Sequence, residues 1–365
     1  MYNCIICKNQ TKNLPLPELK SVVPMGKKLC NFKLQKCVYC GHIQKKIDLN
    51  WKKSMRNLYS QKYTFLGKHI SLSGKKIVNR NEQSAKLIDK TLNLKSHGSF
   101  LDIGCGVGQF IEAFSGIKKN WTIYAHDLTD LNKKYVLKNN VKKFFIGDVS
   151  KIKIKFDLIS MNHVVEHLTD PVKTLKEVRN LLNDKGSLIL RLPNIDKVHT
   201  DLTIQDHCSH FNFQTLSNLL KFTGYKIEKS LNNVNPIELF IIVKKSSRVQ
   251  RIKKKSFNRK NLKNLFWPDK ICKKINKDSS KKIGIFGVGT ASFYYYAKMK
   301  NKVSFFVDED PLKINKKYYG KKIYDIKNIP LGSNVYIGIH NYNFAIKIKK
   351  RVSKINRKVN FFVPN

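Results

Sequence analysis

The chain has 365 residues, 41% of them hydrophobic, and a formal charge of +46. That length predicts two or three domains, and that composition supports ordinary cores. No apolar run approaches the ~18 residues of a membrane span. The opening Met1-Tyr2-Asn3-Cys4 carries no charged-then-apolar leader, so a cytoplasmic protein with no membrane partner is expected.

The charge is spread, not gathered. Lysine and asparagine run through every segment, which reads as the compositional bias of an AT-rich genome rather than as a nucleic-acid face. Nucleic acid is therefore not the expected partner, although the lysines still attract phosphate-bearing small molecules.

Residues 1–60 carry two close cysteine pairs, Cys4-x-x-Cys7 and Cys37-x-x-Cys40, out of eight cysteines in all. Each x-x loop lets both sulfurs face one tetrahedral Zn²⁺, and Gly41 suits the tight turn after the second pair. Four sulfurs leave no open position, so the expected metal is structural and His42 is not a ligand. A redox role is the alternative, but neither pair opens a helix within a βαβ pattern. Cys30, Cys105, Cys208 and Cys272 read as ordinary thiols.

Residues 61–246 alternate strands and helices. Strands are expected at Ser99–Ile103, Trp121–Ala125, Lys143–Ile146, Phe156–Met161 and Ser187–Leu192. A helix capped by Asp170, with Pro171 in its first turn, buries Val172, Leu175, Val178, Leu181 and Leu182, and ends at Asn183-Asp-Lys-Gly186. A later helix carries Leu216, Leu219 and Leu220 and stops at Gly224. The alternation implies a parallel sheet covered on both faces. Residues 247–281 form a Lys-rich connector with no core pattern. Residues 282–365 begin a second, smaller α/β unit: Lys282–Phe286, Gly287-Val-Gly289, then a helix from Thr290, with further strands at Val303–Val307, Val335–Ile339 and Val359–Val363.

The central signal is Phe100-Leu-Asp-Ile-Gly-Cys-Gly-Val-Gly108. Gly104, Gly106 and Gly108 stand between a strand and a helix, where glycine admits φ > 0 and lets backbone N–H groups approach a ligand. The helix then presents its positive end. Asp127 ends the next strand, placed to grip two ribose hydroxyls. Asp148 follows the third strand, and Asp102 lies inside the loop motif. A nicotinamide dinucleotide would call for Gly-x-Gly-x-x-Gly, whereas this loop is Gly-x-Gly-x-Gly.

These residues resemble the class I S-adenosylmethionine-dependent methyltransferases. The resemblance implies that Gly104 and Gly106 line the methionine end of the cofactor and that Asp102 places its amino group. It puts Asp127 on the ribose, Asp148 and Val149 at the adenine, and Asn162 near the sulfonium. Phe156-Asp-Leu-Ile-Ser-Met-Asn-His-Val-Val-Glu-His167 matches the class at its fourth strand, where Glu166 and His167 read mainly as shapers of the turn.

The whole order resembles the sugar C-methyltransferase family: a zinc unit, a Rossmann-like methyltransferase domain, then a smaller C-terminal α/β unit. That family acts on nucleotide-linked keto-deoxysugars. Leu58-Tyr-Ser-Gln-Lys-Tyr63 looks like its tyrosine-bearing segment, and Phe286-Gly-Val-Gly-Thr290 with Phe306-Val-Asp-Glu-Asp-Pro311 like its C-terminal unit. Methylating carbon needs a base beside an acidic C–H and donors for the oxyanion. The family's Glu-His pair corresponds here to Asp206-His207, so the resemblance makes His207 the base and Asp206 its orienting partner. Ile204 stands where the family has tyrosine, and Asn235-Pro-Ile-Glu238 replaces its Gly-Gly-Ser stretch. Methylation of oxygen is the alternative. Methylation of RNA or DNA ranks lower, because Met161-Asn-His-Val lacks the Asn/Asp-Pro-Pro-aromatic run of base-amine enzymes.

Overall fold

The computed structural model describes residues 2–14, 21–22, 29–30, 32–60, 70–73, 76–231, 235, 237–254, 267–299, 301–311, 313–339 and 342–363. The tyrosine-bearing segment 58–63 and much of the Lys-rich connector lie in part outside these residues. The chain forms two compact units. The first comprises Met1–Lys12, Gln35–Asn194 and Cys208–Lys255; the second comprises Asn13–Leu34, Ile195–His207 and Ser256–Asn365. The divisions expected at 60, 246 and 281 are therefore not the structural ones: two short excursions leave the first unit for the second.

In the first unit, strands β1 (Gly98–Ile103), β2 (Trp121–Asp127), β3 (Val141–Ile146), β4 (Phe156–Asn162), β5 (Leu182–Pro193), β6 (Tyr225–Ser230) and β7 (Glu238–Lys245) form one sheet in the order β3-β2-β1-β4-β5-β7-β6. The first five strands are parallel, and β7 runs antiparallel to both neighbours. The sheet is thus mixed rather than wholly parallel. The connection 231–237 is too short for a crossover helix, so β7 can only return antiparallel to β6.

The alternation of a strand puts Phe100 and Leu101 of β1 on opposite faces. Phe100 belongs to one buried cluster with Phe114, Trp121 and Ile123, while Leu101 belongs to another with Ile159, Leu188 and Leu219. Helices α1 (Arg80–Leu92), α2 (Gln109–Ile117), α3 (Pro171–Asn180) and α4 (Phe213–Phe222) cover the sheet. Their starts follow side-chain chemistry. Asn79 accepts from the Asn81 amide, Asp170 from Lys173, and Asn212 and Thr215 form a reciprocal capping box. The turn expected at Asn183–Gly186 lies instead inside β5. There the register on β4 slips from Leu182 opposite Phe156 to Ser187 opposite Leu158, so the segment is absorbed as a bulge.

The cysteine-bearing segment is not an independent domain. Cys4, Ile6, Cys37 and Cys40 belong to the same buried cluster as Leu216, Leu219 and Ile252. Strand Ile43–Lys45 pairs with Ser209–His210.

In the second unit, β8 (Ile283–Phe286), β9 (Val303–Val307), β10 (Lys317–Tyr318), β11 (Lys321–Tyr324), β12 (Asn334–Ile337) and β13 (Asn360–Phe362) form a sheet in the order β10-β11-β9-β8-β12-β13, parallel except for the β10–β11 pair. Helices α5 (Trp267–Lys277), α6 (Thr290–Met299) and α7 (Tyr342–Ile355) accompany it. Helix α5 corrects the reading of 247–281 as a patternless connector. Its Ile271, Cys272 and Ile275 are buried in the unit's core, but three apolar positions among lysines give too weak a periodicity to read. Among the described residues no helix is long and apolar enough to cross a membrane.

A Cβ on Gly284 would lie 2.3 Å from Cε2 of Phe305 on the neighbouring strand. Gly284→Ala should therefore destabilise the second unit by about 1–3 kcal/mol through overpacking, read as a lower urea midpoint with an unchanged slope.

Candidate cofactor and metal sites

After β1 the chain turns through Gly104, Gly106 and Gly108 at φ of 67°, 52° and 81°. These left-handed values are costly for any residue with a Cβ. The loop is pinned to β2. The amides of Gly104 and Cys105 both donate to the His126 carbonyl, at 2.8 and 3.0 Å. The amide of Gly106 donates to Oδ2 of Asp127 at 3.0 Å, and Leu128 N donates to its Oδ1 at 2.7 Å. Burial pushes the Asp127 carboxyl up, and these amide donors oppose it. A Cβ on Gly104 would lie 2.6 Å from Cγ2 of Val164, whereas one on Gly106 would meet no heavy atom within 4 Å. The loop is therefore packed underneath and open above Gly106.

Asp102 is buried beneath the loop. Ser160 Oγ donates to its Oδ1 at 2.5 Å and Asn162 Nδ2 at 3.4 Å. Burial raises its pKa to about 7 against those donors. Asp148 caps the turn after β3 by accepting from Ser150 N at 2.9 Å, which holds its carboxyl below the usual range. Val149 is packed in the core, leaving its main chain rather than its side chain to meet a ligand. The eight expected cofactor residues thus belong to one unit, on the loop or at the carboxyl ends of β1 to β4, where open α/β sheets take their ligands.

Two features were not read from the sequence. His126 Nε2 donates to the Gly147 carbonyl at 2.7 Å and so braces the turn that carries Asp148. A partly buried ion network joins the turn after β4 to β5, β7 and α1. His163, at φ 54°, meets Glu166 through Nδ1 at 3.2 Å and Glu238 through Nε2 at 3.3 Å. Arg191 and Arg80 each lie 3.6 Å from Glu238. The signal was hidden because these residues are distant in sequence and match no short motif.

The four paired cysteines converge: their sulfurs all lie within 4.8 Å of one another. Cys4 and Cys40 are 3.7 Å apart and Cys7 and Cys37 are 3.3 Å apart. A tetrahedral zinc with bonds of about 2.3 Å spaces its sulfurs by about 3.8 Å, close to this arrangement. The amides of Tyr39 and Cys40 both point at Cys37 Sγ, at 3.4 Å each, as suits a thiolate. Sulfur–sulfur hydrogen bonds hold Cys37 down at about 6 and Cys7 lower still, and push Cys4 and Cys40 up. His42 is fully buried, 3.3 Å from Ser209 Oγ and packed on Phe211, as a core histidine rather than a ligand.

His207 and Asp206 belong to the second unit. The carboxylate on His207 Nδ1 is that of Asp201, at 2.5 Å, where the sequence suggested Asp206. The 3₁₀ turn His199–Thr203 sets Asp201 six residues back against the ring. An ionised carboxylate only accepts, so Nδ1 carries the hydrogen of this bond.

The loop, the acidic strand ends and the sheet order define a Rossmann-like α/β domain. Residues 78–230 match a family described as a methyltransferase domain. Residues 78–230 are therefore similar to methyltransferase domains. An uncharacterized protein of Methanocaldococcus jannaschii is 32% identical over 121 residues, covering 32% of this chain and 50% of that protein. The tRNA U34 carboxymethyltransferase of Campylobacter fetus subsp. fetus is 26% identical over 167 residues, covering 38% of this chain and 58% of that one. The chain thus spans about half the length of the curated relatives it matches. A solved S-adenosylmethionine-dependent methyltransferase from Clostridium acetobutylicum superposes on 46% of this chain and 92% of its own, with 15% identity and a TM-score of 0.39.

Asp102 generates a pH prediction. Its folded pKa of about 7 lies above the unfolded value near 4, so folding is favoured by this group below pH 4 and progressively penalised as pH rises through 7. Asp102→Asn should then stabilise the ligand-free protein at pH 8 by about 1–3 kcal/mol, with the gain vanishing toward pH 4, as read by urea unfolding across that range.

Proposed function

We propose that this protein is an S-adenosylmethionine-dependent methyltransferase that methylates carbon in a nucleotide-linked keto-deoxysugar. The observation that carries the cofactor part is the left-handed glycine turn whose Gly106 amide rests on the Asp127 carboxylate, with open space above Gly106. When bound, the cofactor supplies a methyl group on an electrophilic sulfonium. Gly104 and Gly106 would line its methionine end and Asp102 would take its ammonium. Asp127 would accept from the ribose hydroxyls, Asp148 and the Val149 main chain would meet the adenine, and Asn162 would stand near the sulfonium. Burial around Asp102 strengthens its attraction for a cation, which in turn favours the ionised carboxylate.

The acceptor part is supported by the resemblance in domain order, by the gathered thiols and by the second α/β unit. His207, held by Asp201, is the proposed base: its Nε2 takes a proton from the carbon beside the ketone. The thiols Cys4, Cys7, Cys37 and Cys40 would hold a structural zinc that staples the amino-terminal strands to the first unit. Methylation of oxygen is a second reading, favoured by the same Asp201–His207 pair, because a hydroxyl also needs its proton removed.

In heavy water without cofactor, the enzyme should exchange the proton next to the ketone of a nucleotide-linked keto-deoxysugar. His207→Gln should abolish this exchange and Asp201→Asn slow it by about a hundredfold, with Asp206→Asn within a few-fold of the unmutated protein. Methyl transfer without any such exchange would favour the oxygen reading. No calorimetric binding of S-adenosylmethionine by the unmutated protein, with Asp127→Ala as control, would sink both.

Metal analysis should find one zinc per chain. Cys37→Ser with Cys40→Ser should lose it and lower Tm by about 10 °C or more.

A further inference from the structure

The amino-acid end of the proposed cofactor carries two opposite charges on one carbon. Asp102 answers the ammonium, but a carboxylate brought into a partly buried cleft needs cations of its own. The ion network beside the loop holds three: Arg80, His163 and Arg191. Arg191 is 5% exposed and already engaged, with NH1 on Ser84 Oγ at 2.9 Å, NH2 on Asn81 Oδ1 at 3.0 Å and Nε 3.6 Å from Glu238. The Arg80 and His163 side chains remain 25% and 33% exposed. Both are drawn to the same oxygen, Oε1 of Glu238, at 3.6 and 3.3 Å.

Resting on the cofactor reading above, we propose that Arg80 and His163, gathered by Glu238, bind the α-carboxylate of S-adenosylmethionine. His163 stands in the site already described. Its neighbour Asn162 contacts Asp102, and its other neighbour Val164 packs under Gly104. Its left-handed backbone is unusual for a residue with a Cβ, and such strain concentrates where function requires a placement. Partial burial would pull the imidazole pKa down, but the Glu166 and Glu238 carboxylates on its two nitrogens carry it up to about 9, so the ring is a cation at neutral pH. Asp102 also lies in the field of Arg191, so the three cations Arg80, His163 and Arg191 balance the three carboxylates Asp102, Glu166 and Glu238. A zwitterion would set its ammonium on Asp102 and its carboxylate on the two partly exposed cations without disturbing that balance.

The test compares two probes by calorimetry: S-adenosylmethionine and its decarboxylated form, which keeps the ammonium and sulfonium and lacks only the carboxylate. The unmutated protein should prefer the former. Arg80→Gln should weaken S-adenosylmethionine by roughly ten- to hundred-fold and leave the decarboxylated probe within about twofold, with Arg80→Lys between. His163→Gln should show the same pattern more weakly. Retained binding of 5′-methylthioadenosine, which lacks the whole amino-acid end, shows that each variant still folds. Equal loss for both probes in Arg80→Gln, or no loss for either, would overturn the proposal while the cofactor reading stands. Failure of the unmutated protein to bind any of the three would overturn that reading and this proposal together.

Discussion

The hydrogen bond from the Gly106 amide to Asp127 organises the first unit. It ties the turn after one strand to the end of its neighbour, and the His126 carbonyl fixes the two preceding amides. Three consecutive main-chain groups are thereby oriented before any ligand arrives, which lowers the ordering cost of binding. The same bond keeps an acidic side chain at the cleft, where burial alone would drive it to protonate. The sheet order and the bracing of Gly147 by His126 serve that same corner.

The second unit repeats the device with a different ending. Val288 N donates to Asp308 Oδ2 at 2.7 Å, just as Gly106 does to Asp127. There, however, Lys313 Nζ also sits 3.3 Å from that oxygen and 3.1 Å from the Val288 carbonyl. An ammonium of the chain itself thus engages the acidic residue, which in the first unit is held by main-chain amides. Common backbone geometry arises because a parallel strand pair needs its turns anchored, and the anchor does not by itself make a nucleoside site.

Much was legible in the sequence because it was local. The glycine spacing fixed the loop, Asp170-Pro171 fixed a helix start, and the cysteine pairs fixed a thiol cluster. What escaped reading was carried by side chains far apart in the chain. Asp201 reaches His207 because a 3₁₀ turn six residues back aims it, a pairing that sequence adjacency does not record. Glu238 looked like a departure from a family pattern, yet it gathers His163, Arg80 and Arg191. Helix α5 was hidden by lysines that dilute its three buried apolar residues.

The sequence by itself determined the backbone demands: left-handed positions at Gly104, Gly106 and Gly108, a carboxylate at or beside the ends of β1, β2 and β3, and four sulfurs in two tight loops. These are set by steric freedom and spacing within a few residues. Only the tertiary structure decided the mixed sheet, the sharing of residues 13–34 and 195–207 with the second unit, and which charges meet which. Those depend on packing between segments tens to hundreds of residues apart, where burial changes the energy of an ion pair and the pKa of each partner, and no local pattern records that.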